Sequence, residues 1–393
     1  MLSLCLKSSR RWMTSGLARK AAVIGVIGCL ANALSSAASA AGQQVGPDPA
    51  SYHQAVGRAI EYFEQAQGDD GSYSKQNGIG VTALVATGLM RVGRTPTDPL
   101  VAKSLKFIEG QVRDDGGVYT EGSKHRIYDT CLAIQCFSAA NKDGHYNDIL
   151  KHAEQYVKGL QWDETEGIDE SNPNYGGAGY GENNNRPDLS NTSFLIDALH
   201  AAGSDANDPA LKKALVFVSR CQNLESEYNT TPLAAKVNDG GFFYTVAAGG
   251  SSPAGQSEDG GLRSYGSMTY AGLKSMIFAG VKSDDPRVKA ANHWIEQNYT
   301  VTENPGMGGN GLFYYYHTFA KALDAAGVDY VADKDGAKHD WRKELAGQLA
   351  ATQSKDGSWV NSAKRWLEGD PNLVTAYSLM TLSYCQPKAA SGQ

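Results

Sequence analysis

The sequence predicts an all-α protein, an α6/α6 toroid of two concentric rings of six helices built from six helix-pair repeats. Three observations predict it. Six times, a charged amphipathic segment runs into a Gln, then a turn of Gly, Asp and aromatic residues, then a Thr-led apolar segment. The first segment of each unit has helical period, with its charges turned away from an apolar face. The second is nearly free of charge, as a helix buried on both sides must be. Charged helices therefore belong to an outer ring and Thr-led helices to an inner one. Each unit buries its apolar faces only against its neighbours.

The first unit runs from Gln67-Gly68-Asp69-Asp70-Gly71-Ser72-Tyr73 into Thr82, and the second from Gln111 through Tyr119 into Thr130. In the outer segment between them, Val101, Leu105 and Ile108 share one face while Lys103 and Lys106 take others. Gln161 precedes Thr192, and Gln222 with Asp239-Gly240-Gly241-Phe242 precedes Thr269. Gln297 leads through Gly308 to Phe313 and on to Thr318, and Gln353-Ser354-Lys355-Asp356-Gly357-Ser358-Trp359 leads to Thr375. Asp98-Pro99, Asp208-Pro209 and Asp285-Pro286 open outer helices, Asp as N-cap and Pro at the first helical position. Thr130 to Ala139 and Thr375 to Tyr384 hold no charged residue, and Thr192 to Ala201 holds only Asp197. Aligned on the closing Gly93, Asn141, Gly203 and Gly280, the inner segments place Thr82, Thr130, Thr192 and Thr269 at one position. The fifth unit is out of register, since Gly327 puts Tyr316 there rather than Thr318.

The turns from outer to inner helices all fall at one end of the ring. Two are enlarged, at 162–190 and 223–264, either as lids or binding loops or as surface insertions. Residues 1–40 read as an export signal: Lys7, Arg10, Arg11, Arg19 and Lys20 precede the apolar run Ala21 to Leu34, and Ala38-Ser39-Ala40 is a small-residue cleavage site. Ser9-Arg10-Arg11-Trp12-Met13 resembles a twin-arginine signal, and Val26-Ile27-Gly28-Cys29 loosely resembles a lipoprotein box. The expected organisation is a signal at 1–40, an extension at 41–51, one toroid domain at 52–386 and a flexible tail at 387–393. The expected location is periplasmic or secreted, with no transmembrane segment in the mature chain.

The chain carries 36 Lys+Arg against 42 Asp+Glu; without the five basic residues of the signal, the balance is 31 against 42, net −11. That excludes nucleic acid and an anionic membrane surface as electrostatic partners. Cys131, Cys136, Cys221 and Cys385 have no zinc-ligand spacing and read as buried thiols rather than a disulfide framework.

The Q-x-x-D-G-S-W repeat with its six helix pairs resembles the prenyltransferase and squalene-cyclase repeat family over residues 52–386. The resemblance implies the toroid; the repeat itself is structural and carries no chemistry. Squalene–hopene cyclases carry D-x-D-D-T at an inner-helix start, the central Asp protonating the substrate. Here the matching stretch is Arg126-Ile127-Tyr128-Asp129-Thr130, with Tyr128 at the acid position, and a phenol of pKa about 10 is too weak to protonate an alkene. Protein prenyltransferase β-subunits hold zinc with D-x-C and the His of a later Y-H-T. This chain keeps Tyr316-His317-Thr318 but has Tyr265-Gly266-Ser267 where the other two ligands would stand. One histidine does not hold zinc, so no metal and no cofactor are expected.

Inner-helix starts face the cavity mouth, where helix N-termini favour anionic groups. Asp129, His317 and Tyr315 are the candidate catalytic residues, from the second and fifth inner helices facing across one cavity. Arg126, Tyr128, Asn191, Arg263, Tyr265, Ser267, Phe243 and Tyr316 are the candidate substrate-binding residues. Asp129, Asn191 and Ser267 also read as N-caps, His317 as a structural histidine, and the aromatic residues as packing. The family resemblance and the aromatic mouth point to an isoprenoid or other lipid-like ligand, held or transformed in the cavity. The alternative is a polysaccharide lyase or glycosidase for acidic sugars, in which Asn191 and Arg263 neutralise a carboxylate while Tyr315 or His317 moves a proton. A third reading is a binding scaffold without catalysis. The partner is thus a small hydrophobic or carbohydrate ligand. An aliphatic and aromatic tunnel favours the first reading, an open cleft with an Arg floor the second.

Overall fold

The structure, a computed structural model, describes residues 44–181 and 186–389. The signal expected at 1–40 lies outside the described residues.

Twelve helices of eleven or more residues follow one another among the described residues. The odd-numbered ones are charged: α1 Pro49–Ala66, α3 Pro99–Glu109, α5 Asn147–Lys158, α7 Pro209–Arg220, α9 Pro286–Gln297 and α11 Trp341–Thr352. The even-numbered ones are apolar: α2 Gly80–Arg91, α4 Arg126–Ala140, α6 Leu189–Ala201, α8 Gly266–Phe278, α10 Leu312–Ala325 and α12 Pro371–Tyr384. Each even helix packs on the even helices before and after it, and α12 packs back on α2, so the inner ring closes. The odd helices lie outside, α3 on α2, α5 on α4, α9 on α8, α7 across α6 and α8, and both α1 and α11 on α12. The expected toroid is the observed one.

The first helix starts at Pro49, capped by Asp48, ahead of the boundary expected at residue 52. The same Asp-Pro start opens α3, α7 and α9, and also α12, where Asp370 accepts from Asn372 N. Strand structure is slight. A three-residue hairpin, Tyr330–Ala332 against Lys338–Asp340, links α10 to α11 and was not legible in the sequence. Residues 388 and 389 of the expected tail are extended, with Lys388 Nζ 2.8 Å from Asp329.

The repeated Gln and Thr have defined jobs. In four units the Gln carboxamide donates at once to the Gly carbonyl of its own turn and to a carbonyl of the next outer helix. Gln67 reaches Gly71 and Leu100, Gln161 reaches Gly176 and Ala210, Gln222 reaches Gly240 and Arg287, and Gln353 reaches Gly357 and Ala55. That last bond joins the sixth unit to the first outer helix. The Gly is required because the turn presses on the neighbouring helix: a Cβ on Gly357, at φ +90, would stand 2.1 Å from the Arg58 carbonyl oxygen. The Thr hydroxyl accepts from the turn residue above it: Tyr73 N on Thr82, Val118 N on Thr130, Ala178 N on Thr192, Phe242 N on Thr269 and Trp359 N on Thr375, all at 2.9–3.1 Å. Thr318 instead donates to Tyr314 O and Tyr315 O of its own helix, the irregular fifth register expected from the sequence. Cys131, Cys136, Cys221 and Cys385 are free and buried.

Candidate functional site

Inward-facing residues recur along an inner helix at i, i+3 or i+4, and i+7. In α4 they are Tyr128, Leu132 and Gln135; in α6 Ser190, Phe194 and Asp197; in α10 Tyr314, His317 and Lys321; α8 contributes Lys274. Their contacts divide the ring interior into three layers.

The top layer is hydroxylic. Tyr128 donates to Ser190 Oγ at 2.7 Å, and Ser190 Oγ lies 2.9 Å from Tyr314 Oη. One serine thus joins α4 and α10, which stand on opposite sides of the ring. The two enlarged loops meet beside it. Tyr180 Oη of the first is 3.1 Å from Tyr244 Oη of the second, and the Tyr244 hydroxyl bonds the Asp188 carboxylate. Leu189 N donates to Tyr244 O and Thr245 Oγ1 to Pro187 O, so the second loop covers the start of α6. Burial pushes the Asp188 carboxyl up to about 6, against the pull of its bonds from Asn191 and Tyr244.

The middle layer is aromatic and runs unbroken across the ring. Tyr128 meets Phe194 edge-on at 4.9 Å, and Phe194 stacks on Tyr314 at 6.3 Å. Tyr314 meets Tyr377 at 5.9 Å, and Tyr377 stacks on His317 at 5.7 Å. His317 is buried and its Nδ1 has no hydrogen-bond partner; burial, reinforced by the Lys321 charge, holds the ring neutral, far below its usual pKa. These rings line the interior from α4 through α6 and α10 to α12, and Tyr128, Tyr314 and Tyr377 stay partly exposed. Four concavities of about 310 to 560 Å³ lie at the rim and among the outer helices.

The bottom layer is charged. Asp197 bonds Lys274 Nζ through Oδ1 and Lys321 Nζ through Oδ2, each at 2.7 Å. Lys274 also donates to Ser193 Oγ, and Lys321 to Gln135 Oε1. Burial lowers Lys274 to about 8, with Asp197 opposing and Lys321 reinforcing the fall. Burial acts to raise Asp197, but the two ammonium groups more than offset it and hold the carboxyl below its usual range. Sequence reasoning noted Asp197 and passed over the two lysines. The signal was available, since a lysine in the middle of an otherwise apolar helix is rarely left without a purpose.

Asp129, His317 and Tyr315 are not brought together. The Asp129 carboxylate faces α2, accepting from Gly80 N at 3.1 Å and from Ser123 Oγ at 2.7 Å. It caps the preceding inner helix rather than its own, and burial pushes it up to about 6. Tyr315 and Tyr316 turn outward, donating to Thr300 O and Val301 O. Asn191 is tied to Asp188, and Ser267 N is capped by Asn304 Oδ1, so neither is itself a cap. Arg263 is exposed on the second loop, its Nε on Gln256 O, and Arg126 lies over the Tyr119 ring. Phe243 and Tyr265 are buried packing residues. Of the expected residues, Tyr128 and His317 face the interior; the tyrosine that meets them is Tyr314, one position before the expected one. Among the described residues no three His, Cys, Asp or Glu side chains gather as a metal site, and no helix is long and apolar enough to cross a membrane.

Residues 75–245 match the squalene–hopene cyclase C-terminal domain family. Among solved structures, the chain is similar to the type II terpene cyclase MstE from Scytonema, with 13% identity over 86% of this chain and 98% of that one and a TM-score of 0.50. It is equally similar to a D-mannose isomerase, at 11% identity over 85% and 96% of the two chains with a TM-score of 0.50. A family 76 glycoside hydrolase from a bovine Bacteroides thetaiotaomicron strain gives 11%, 84%, 77% and 0.50. At such identities the likeness is one of fold. No curated protein matches the sequence significantly. The family match covers 171 of the 393 residues, and what the chain shares with these solved structures is the helical toroid.

Proposed function

We propose that this toroid of the prenyltransferase and squalene-cyclase type binds an isoprenoid or other lipid-like ligand against the aromatic layer of its inner ring. The observation that carries the reading is the unbroken run Tyr128–Phe194–Tyr314–Tyr377–His317. Aromatic faces pack on hydrocarbon chains and attract cationic centres through their quadrupole. Tyr128, Tyr314 and Tyr377 are partly exposed, so the upper edge of this wall is open to an arriving ligand. Entry swings Tyr128 and Tyr314 away from Ser190, a trade of two hydroxyl bonds for buried apolar area.

Cyclisation by the family's acid is not part of the reading. Tyr128 holds the acid position, and burial raises its pKa further. The carbohydrate reading asks Asn191, Arg263, Tyr315 and His317 to converge on one sugar. Their separate commitments to Asp188, Gln256, Thr300 and the ring interior leave it without a site, although the isomerase and hydrolase toroids fit it at the level of fold.

Native mass spectrometry of protein purified from its own cells, with binding of a long isoprenoid alcohol, tests the proposal. A retained hydrophobic ligand, or alcohol binding that weakens about tenfold or more in Phe194→Ala, supports it. Binding of uronic-acid oligosaccharides with indifference to isoprenoids would sink it, and binding of neither would leave a scaffold.

A further inference from the structure

We infer that the layer of Asp197, Lys274 and Lys321 receives the acidic head group of the ligand, which is therefore an anionic amphiphile with a carboxylate or phosphate on a long apolar chain. The inference rests on the reading that the aromatic layer holds a lipid-like ligand.

Charge comes first. Two ammonium groups converge on one carboxylate, and their other bonds go to neutral acceptors, Ser193 Oγ and Gln135 Oε1. The three charged side chains are nearly removed from solvent, Lys274 at 3%, Asp197 at 2% and Lys321 at 10% exposure. With both lysines protonated, the layer carries one uncompensated positive charge. A buried cation without its counter-ion is costly. The Phe278 ring, 5.9 Å from Lys321 Nζ, offers weak compensation only.

Position comes second. Lys321 lies one helical turn below His317 and seven residues below Tyr314, about 10 Å along the helix. A head group at Lys321 would send its chain upward past His317, Tyr377, Phe194 and Tyr314, the whole aromatic layer. His317 supplies the third observation. It is buried, neutral and unpartnered at Nδ1, directly above Lys321 on the same face of α10. As the Nδ1–H tautomer it donates to a head-group oxygen; as the other it accepts from an acidic hydroxyl. The unpartnered Nδ1 of His317 and the surplus ammonium of this layer therefore belong to adjacent turns of α10.

Three probes of one chain separate the parts: a long isoprenoid alcohol, its carboxylic acid and its phosphate monoester. The alcohol reports the aromatic wall, and the difference between alcohol and acids reports the charged layer. Wild-type protein is expected to prefer at least one acid over the alcohol by about tenfold or more, the value of a charge-assisted bond. The preferred acid identifies the head group as carboxylate or phosphate. Lys321→Gln leaves Lys274 paired one-to-one with Asp197, so it folds; it should lose most of that preference while alcohol affinity changes less than about threefold. His317→Phe keeps the ring packing and should lose part of it. Equal affinity for alcohol and acids overturns the inference and spares the aromatic reading. An acid preference that survives in Lys321→Gln also overturns it. Failure of every probe to bind overturns both.

Discussion

Asp129 carries its carboxylate into a pocket made by the backbone of Ile79 and Gly80, where a Cβ on Gly78 would stand 2.9 Å from it. Two demands meet on that group. The α2 start needs an acceptor, and burial penalises a charge. Burial wins on protonation, since the carboxyl is pushed up to about 6 from an ordinary 3.8. A folded-state pKa above the unfolded value means the folded state holds the proton more tightly between about 4 and 6. Acidification through that window adds stability from this group, and the contribution is lost as pH rises through about 6. Asp188, also pushed to about 6, acts in the same direction. Asp129→Asn keeps an acceptor for Gly80 N and removes the buried charge. It should leave Tm at pH 7 unchanged or raise it, by up to roughly 2 kcal/mol of stability, with the difference shrinking at pH 5. Thermal unfolding of both proteins at the two pH values checks this. A loss above about 1 kcal/mol at pH 7 would mean that the ionised cap outweighs desolvation.

Helix pairs were legible because their compositions differ: α7 carries Lys212, Lys213 and Arg220 outward, while Thr130 to Ala139 of α4 carries no charge. Periodicity fixes the face of a helix only to within about a residue. That is why Tyr315 was expected at the mouth, where Tyr314 stands and Tyr315 turns to Thr300. Caps donated between units were not legible at all, because Asp129 on α2, Asn304 on α8 and Glu368 on α10 act across gaps that only the closed ring brings together. The seams between units make their own prediction. Gln353→Ala removes both bonds of the bridge, to Ala55 O and to Gly357 O, and should cost about 1–3 kcal/mol. Gly357→Ala adds a clash and a strained φ at the same seam and should cost more, roughly 3 kcal/mol or above. Gln111→Ala is the control: its carboxamide oxygen meets only the partly exposed Arg113, and the cost should stay under about 1 kcal/mol. Denaturant unfolding of the three variants ranks them, and equal losses would remove the bridging role.

At the scale of the molecule, we propose export with cleavage after Ala40, on the order of basic, apolar and small residues in the first forty positions. Amino-terminal analysis of the mature protein should begin at Ala41. A lipid on Cys29 or an intact Met1 would show different processing. The fold itself carries a further consequence through Gln353. Linear repeat arrays fray from their terminal units, which lack one neighbour and need polar caps. Here the sixth unit is stitched to the first by the same glutamine bridge that joins other units, and Tyr62 to Asn372 and Ser74 to Asp370 reinforce the joint. A closed circle has no end from which to unzip. Breaking any one joint turns it into an open array with two loose ends, so the first break costs far more than those that follow, and the ring holds or fails as a single object.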